Sequence, residues 1–161
     1  MGRILVAFAS KTGNAKGAAK RIAGALPDCD LVDLSRQTPL LKDYDAAIIG
    51  GGVRMGSVHK DTKRFIDAHK EELMAMNCAF FITNCFEDNI EGIIAKMLPA
   101  DLRAKALFSG SLGGRMDIDN LKGMDKAIAK MVSKSLEEGK AVFQALDEQA
   151  LQTLVTPFLE A

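Results

Sequence analysis

The sequence predicts an α/β fold: a doubly wound, five-stranded parallel sheet in the order 2-1-3-4-5, with helices on both faces. Three observations carry that prediction. Short apolar runs alternate along the chain with stretches of helical periodicity, the pattern of βαβ units joined by right-handed crossovers. The first run is apolar throughout rather than at alternate positions, as expected of a parallel strand covered on both faces. Two later runs empty into glycine-rich turns, and in such sheets the ligand lies outside the carboxyl ends of the strands, at the switch between strands 1 and 3.

Ile4 to Ala9 is the first strand. Asn14 to Leu26 reads as a helix rich in small residues, stopped by Pro27-Asp28. Cys29 to Leu34 is a second, weaker strand, and Ala46 to Gly50 a third that ends in Gly50-Gly51-Gly52. From Asp61 to Met74, Phe65, Ile66, His69 and Leu73 recur at helical spacing. Cys78 to Thr83 is the fourth strand, followed by a short helix from Asn89 to Leu98 that Pro99 ends. Ala104 to Ser109 reads as the fifth strand, entering a loop with Gly110, Gly113 and Gly114. Asn120 to Ser135 is strongly helical, and Asp147 to Val155 is a last helix, disturbed by Pro157. The 161 residues suit one domain, with an extra helical segment at about 112–140 before the last helix.

Lys plus Arg and Asp plus Glu balance at 21 each, so no global field argues for nucleic acid, and any charge argument must be local. Three cysteines, Cys29, Cys78 and Cys85, have no framework spacing, which fits a reducing cytosol rather than a disulfide scaffold. The apolar run from Ile4 is too short for a signal-peptide core, and no run approaches the length of a membrane span. The expectation is a soluble cytoplasmic protein with no metal site, because no His, Cys or Asp cluster has ligand spacing.

The first loop, Ser10-Lys11-Thr12-Gly13-Asn14-Ala15, joins a strand to a helix. Hydroxyls, a glycine and free backbone N–H groups at a helix N-terminus make an anion site; the same residues also suit a plain helix cap. G-x-x-x-x-G-K-[ST] and G-x-G-x-x-G are both absent, so a nucleoside triphosphate and a dinucleotide pyrophosphate are disfavoured. A terminal phosphomonoester fits.

ASKTGNA after a first strand resembles the phosphate loop of flavodoxins, and element order and loop placement resemble that family over essentially the whole chain. The resemblance is nearest to a branch of flavodoxin-domain proteins that includes the menaquinone-dependent protoporphyrinogen oxidases. Two features carry it: the run Ile49-Gly50-Gly51-Gly52-Val53-Arg54-Met55-Gly56-Ser57-Val58-His59, and the extra chain before the last helix. A flavodoxin-like fold implies FMN as cofactor, with its isoalloxazine ring held between the loops at 51–59 and 84–89. Gly52, Val53, Arg54, Met55 and Gly56 then lie on one side and Asn84, Cys85 and Phe86 on the other. Val53, Met55 and Phe86 can flank the ring, and Gly52 and Gly56 let the backbone approach. Arg54 is either a cation facing the flavin, where it favours the reduced anion, or an exposed arginine.

The chain departs from the family in having no Trp, and its one Tyr, Tyr44, precedes the third strand, on the wrong side of the sheet. His59 reads as a cap for the following helix, a solvated side chain or a proton carrier near the flavin, His69 as structural, and Cys29 and Cys78 as core. In the extra segment Lys122, Lys126, Lys130 and Lys134 repeat every four residues, either a solvated helix face or a peripheral membrane or acidic-partner contact. The resemblance implies an FMN redox protein carrying electrons to a redox partner protein or a quinone. The alternative it raises is a protoporphyrinogen dehydrogenase that reduces a quinone, although Gly113-Gly114-Arg115-Met116-Asp117 lacks that branch's aromatic residues. No residue stands out as catalytic. A receiver module shares the strand order but needs acidic strand ends, and the first strand ends in Ala9-Ser10.

Overall fold

A run of six apolar residues has no polar face to turn to water, so it must be covered on both sides. In the computed structural model, which describes residues 2–11, 13–83, 89–113 and 146–159, that run is β1 (Ile4–Ala9), and all of it is buried. It lies parallel to β2 (Cys29–Asp33) on one side and β3 (Ala46–Arg54) on the other, with Ile4 beside both Cys29 and Ala46. β3 pairs with β5 (Asn77–Thr83), and β5 with β6 (Phe108–Ser111), again in parallel. A short β4 (Ser57–Val58) folds back on β3 as an antiparallel hairpin. The path is β2-β1-β3-β5-β6; with the hairpin strand set aside it is the expected order 2-1-3-4-5.

Alternate residues of β1, β3 and β5 feed two cores. Ile4, Val6, Phe8, Ile48 and Phe81 pack under α1 (Asn14–Gly24) and α6 (Glu148–Leu159). Leu5, Ala7, Ile49, Phe80 and Ile82 pack under α2 (Lys60–Ala68), α3 (Lys70–Met74), α4 (Ile90–Met97) and α5 (Ala100–Lys105). α1 meets the sheet with Ala15, Ala18, Ala19 and Ile22, three of the four being alanines. Arg21 and Glu148 join α1 to α6 through an ion pair at 2.5 Å.

Three expectations need correction. The fifth main strand is Phe108–Ser111 rather than 104–109, because residues 100–105 form α5. Ala100, Asp101, Leu102, Arg103 and Ala104 include good helix formers, with the acid in the first turn and bases in the last. Lys105 interrupts the apolar run, and its ammonium donates to the carbonyls of Leu73 and Met76 at the end of α3. The helix expected over 61–74 is broken at His69 (φ −119°, ψ 22°). There the ring stacks on Phe65 with centroids 4.3 Å apart, and its Nδ1 lies 2.9 Å from the Phe65 carbonyl oxygen. The last helix runs through Pro157 to Leu159, which leaves the Thr153 carbonyl without its i+4 donor.

Candidate functional site

β1 delivers Ser10 and Lys11 to the carboxyl edge of the sheet, and α1 leaves that edge from Gly13. Gly13 is left-handed, with φ at 95°, and its N–H donates to Ser10 Oγ at 3.0 Å. A Cβ on Gly13 would meet nothing within 4 Å, so the backbone conformation, not crowding, calls for glycine. Gly13 at the cap position has no side chain to accept from the first helical N–H groups, which leaves the helix N-terminus suited to an anion. Asn14 opens the helix and Ala15 is buried against the sheet. Thr12 lies outside the described residues.

The next edge belongs to β3, adjacent to β1 with Ala9 beside Gly51. Its three glycines have different reasons. A Cβ on Gly50 would fall 2.3 Å from the Phe81 ring, and one on Gly51 would fall 2.5 Å from Thr62 Oγ1. Thr62 is buried and donates to the Gly50 carbonyl at 2.9 Å. A Cβ on Gly52 would have only Thr83 Oγ1 nearby, at 3.7 Å. Packing therefore requires Gly50 and Gly51 but leaves space beside Gly52.

The loop expected over 51–59 is instead a continuation of β3 and a tight hairpin. Val53 pairs with Val58 and Arg54 with Ser57. Met55 and Gly56 turn the chain with φ of 55° and 78°, the two positive values that a two-residue hairpin matching the strand twist requires. Val53 and Val58 pack against the core on the α2 side. Arg54 is half-buried, whereas Met55 is 79% exposed. His59 caps α2, its Nδ1 accepting from the Asp61 N–H at 3.1 Å, the helix-cap role expected of it.

β5 ends at Thr83, which stands beside Gly52 in the parallel register. The residue is 2% exposed, and its hydroxyl has no hydrogen-bond partner among the described residues. The sequence reading did not single out Thr83; the signal available was a hydroxyl closing the apolar run CAFFIT. Asn84, Cys85 and Phe86 follow it in the chain and lie outside the described residues, as does the lysine repeat at 122–134. At the last strand, Ser111 Oγ accepts from the Gly113 N–H at 3.0 Å.

Ser10, Gly13, Asn14, Gly52 and Thr83 thus meet at the carboxyl ends of three neighbouring strands, β1, β3 and β5. Cys29 and Cys78 contribute nothing there: burial pushes both thiols up and keeps them protonated. Tyr44 lies before β3, at the opposite edge, and donates to Asp30 at 2.8 Å. Among the described residues no cluster of His, Cys, Asp or Glu is placed to hold a metal, and no helix is long and apolar enough to cross a membrane.

Known proteins resemble this arrangement. Oxidised flavodoxin 1 from Bacillus cereus superposes with a TM-score of 0.57 at 20% identity, covering 86% of this chain and 98% of its own. A flavodoxin from the domain Archaea gives 0.51 at 17% identity, covering 84% and 99%. At these identities the likeness is one of fold. In sequence, the chain is 26% identical over 87 residues to protoporphyrinogen IX dehydrogenase [quinone] of Escherichia coli (strain K12), covering 51% of this chain and 48% of that protein. It is 30% identical over 88 residues to the protein of that name in Leishmania major, covering 51% and 38%. The match thus spans half or less of these relatives' length. The model of the flavodoxin domain family (Flavodoxin_5) matches residues 5–142, most of the chain and every main strand of the sheet, and the chain belongs to that family.

Proposed function

We propose that this protein binds FMN at the carboxyl edge of β1, β3 and β5 and carries electrons between a donor and an acceptor. The observation that carries the reading is the start of α1: a left-handed glycine and a helix N-terminus open to an anion, in a flavodoxin-domain chain, beside the one glycine of β3 that packing does not require. When bound, FMN supplies one- and two-electron transfer. The protein's part is to hold it. Ser10, Lys11, Thr12, Gly13, Asn14 and Ala15 cradle the phosphate, the helix N–H groups and the Lys11 ammonium offsetting its charge. Gly52, Val53, Arg54, Met55 and Gly56 border the ring on one side, and Asn84, Cys85 and Phe86 on the other. Met55, exposed at the hairpin tip, has a flexible, polarisable side chain suited to lying on an aromatic surface.

Flavin extracted from the purified protein and run against standards should be FMN. FAD as the main species, or no flavin uptake on titration with FMN, would defeat the proposal.

A second reading is that the protein oxidises protoporphyrinogen and passes the electrons to a quinone. The names of the Escherichia coli and Leishmania major relatives favour it. The lysines at 122, 126, 130 and 134 then offer a contact with an anionic membrane surface that holds the quinone. Stopped-flow reoxidation of the reduced protein separates the two readings. Rapid turnover with protoporphyrinogen and a quinone supports the dehydrogenase; reaction with one-electron protein acceptors alone supports the carrier. A Lys→Gln variant at all four positions should lose salt-sensitive binding to anionic liposomes if the lysines dock there. Among the described residues Cys29 and Cys78 form no disulfide, which suits a cytoplasmic setting.

A further inference from the structure

α1 differs from the other helices in its charges. Among the described residues it is the one helix that carries bases, Lys16, Lys20 and Arg21, and no acid. Elsewhere bases meet acids: Lys63 pairs with Asp67 within α2, Lys70 of α3 with Asp101 of α5, and Arg103 of α5 with Glu91 of α4. Arg21 reaches Glu148 of α6. Lys16 and Lys20 are exposed, and among the described residues neither makes a salt bridge. Two choices in α1 work against the helix itself. Lys16 stands in the first turn, where the helix dipole favours an acid. Gly17 is exposed inside the helix although a Cβ there would meet nothing within 4 Å, so a better helix former would fit. Folding accounts for neither choice.

Lys16, Lys20 and Ala23 follow one another at helical spacing and form one stripe of α1. Ala23 fixes where the stripe lies, because its carbonyl accepts from the Cys29 thiol of β2 at 3.4 Å. Arg21 faces the opposite flank, towards α6. The two lysines therefore run along the β2 side of the helix, and β2 is an edge of the sheet, paired only with β1. Leu31 of β2 stands beside Val6, which packs under α1, so Leu31 is on the α1 face; it is 39% exposed. Arg36 follows β2 and lies 3.7 Å from Asp33. Burial raises the Asp33 carboxyl, but Ser35 and then Arg36 and Lys16 bring it below its ordinary value. Asp30, on the same strand, is turned to Arg3 and Tyr44. Lys16, Lys20 and Arg36 thus face one acid, Asp33, around an exposed leucine.

We propose that this flank of α1 and β2 is a docking surface for an acidic protein segment, with Lys16, Lys20 and Arg36 meeting its carboxylates and Leu31 an apolar side chain between them. Charge complementarity selects that occupant. A lipid surface is disfavoured because α1 exposes no large apolar side chain to insert. A nucleic acid is disfavoured because no aromatic ring is exposed on α1 or β2 for a base to stack on. The bare backbone at Gly17 lets the segment approach the helix closely. The proposal does not depend on the FMN reading.

The test titrates the isotope-labelled full chain with a short synthetic peptide of glutamates around a central leucine and follows the amide resonances. Saturable shifts should appear between Lys16 and Gly24 and between Cys29 and Arg36. A Lys16→Gln/Lys20→Gln variant should bind the peptide about tenfold more weakly, and added salt should bring the wild type towards that level. Gly17→Gln should raise the unfolding temperature, since it improves the helix in open space, yet weaken peptide binding. Leu31→Thr, which suits a strand, should weaken it as well. Parallel titrations use a peptide of lysines around leucine, phosphatidylglycerol vesicles and duplex DNA. The proposal is overturned if the acidic peptide moves no resonance on this flank, or if the basic peptide moves them equally. It is also overturned if vesicles or DNA bind there in preference, or if the same resonances shift with protein concentration alone, which would mark a contact between two copies. Loss of FMN affinity as large as the loss of peptide binding in the double variant would assign the lysines to the flavin edge instead.

Discussion

The two edges of the sheet treat their polar groups in opposite ways. At the amino edge they satisfy one another. Arg3 pairs with Asp30 at 2.7 Å and lies over the Tyr44 ring, Tyr44 donates to Asp30, and the Arg3 N–H donates to Asp45. At the carboxyl edge a helix begins from a left-handed glycine, a methionine holds a positive φ at a hairpin tip, and a buried hydroxyl goes without a partner. The first edge closes the fold. The second keeps strain and unmet hydrogen-bonding capacity, which protein structures tolerate where a ligand repays the cost.

The sharpest way to break this contrast is to add one methyl group at either of two alternate positions of β3, which share a face of the sheet. Gly50→Ala drives a Cβ into the Phe81 ring and should cost about 3 kcal/mol in chemical denaturation. Gly52→Ala, with its Cβ 3.7 Å from Thr83 Oγ1, should stay within about 1 kcal/mol of the wild type yet weaken FMN binding. Equal losses of stability at the two positions would show that the space beside Gly52 is ordinary core.

The amino edge is tested by pH. The Tyr44 hydroxyl, and then the Arg3 guanidinium, hold the Asp30 carboxyl below its usual value. A depressed carboxyl stabilises the fold above its unfolded pKa of about 4, and the contribution is lost as pH falls through the lower folded value. Asp30→Asn should therefore flatten the acid limb of the stability profile below about pH 4. The cost at neutral pH should be at most about 1 kcal/mol, since the pair is solvent-screened. FMN affinity should not move, and a change in it would join the two edges functionally.

The smallest effect is expected at the hairpin. Met55 adopts a left-handed conformation that favours Asn, and it is exposed. Met55→Asn should stabilise the flavin-free protein by about 0.5 kcal/mol. If the methionine lies on the flavin, the same substitution weakens FMN binding, so stability and affinity move in opposite directions. Parallel movement would leave Met55 as a turn residue only.

What could be read from the sequence follows from how local each signal is. β1 and the start of α1 are legible because an apolar run and a Gly-containing loop lie next to each other in the chain. The strand order is legible because crossover handedness and strand count leave few topologies. The hairpin at Met55 is not, because Met-Gly lacks the Asn or Asp that marks such turns, and its residues read as loop. α5 was hidden because Ala104, Ala106, Leu107 and Phe108 form an apolar run whose interruption by Lys105 acquires meaning only beside Leu73 and Met76. The separate reasons for Gly50, Gly51 and Gly52 depend on Phe81, Thr62 and Thr83, which are distant in the chain. No local pattern encodes them.

One connection at the last strand has a consequence for how this domain can vary. Leu112 donates to the Ile82 carbonyl, and its own carbonyl accepts from Asp147 at 2.7 Å. The chain therefore leaves the sheet at Leu112 and is back beside the same residue at Asp147. Closing such a detour costs free energy that grows only with the logarithm of its length. Insertions, deletions or a wholly different sequence there need not disturb the strands on either side. A change of length between Leu112 and Asp147 thus leaves the carboxyl edge of β1, β3 and β5 where it is.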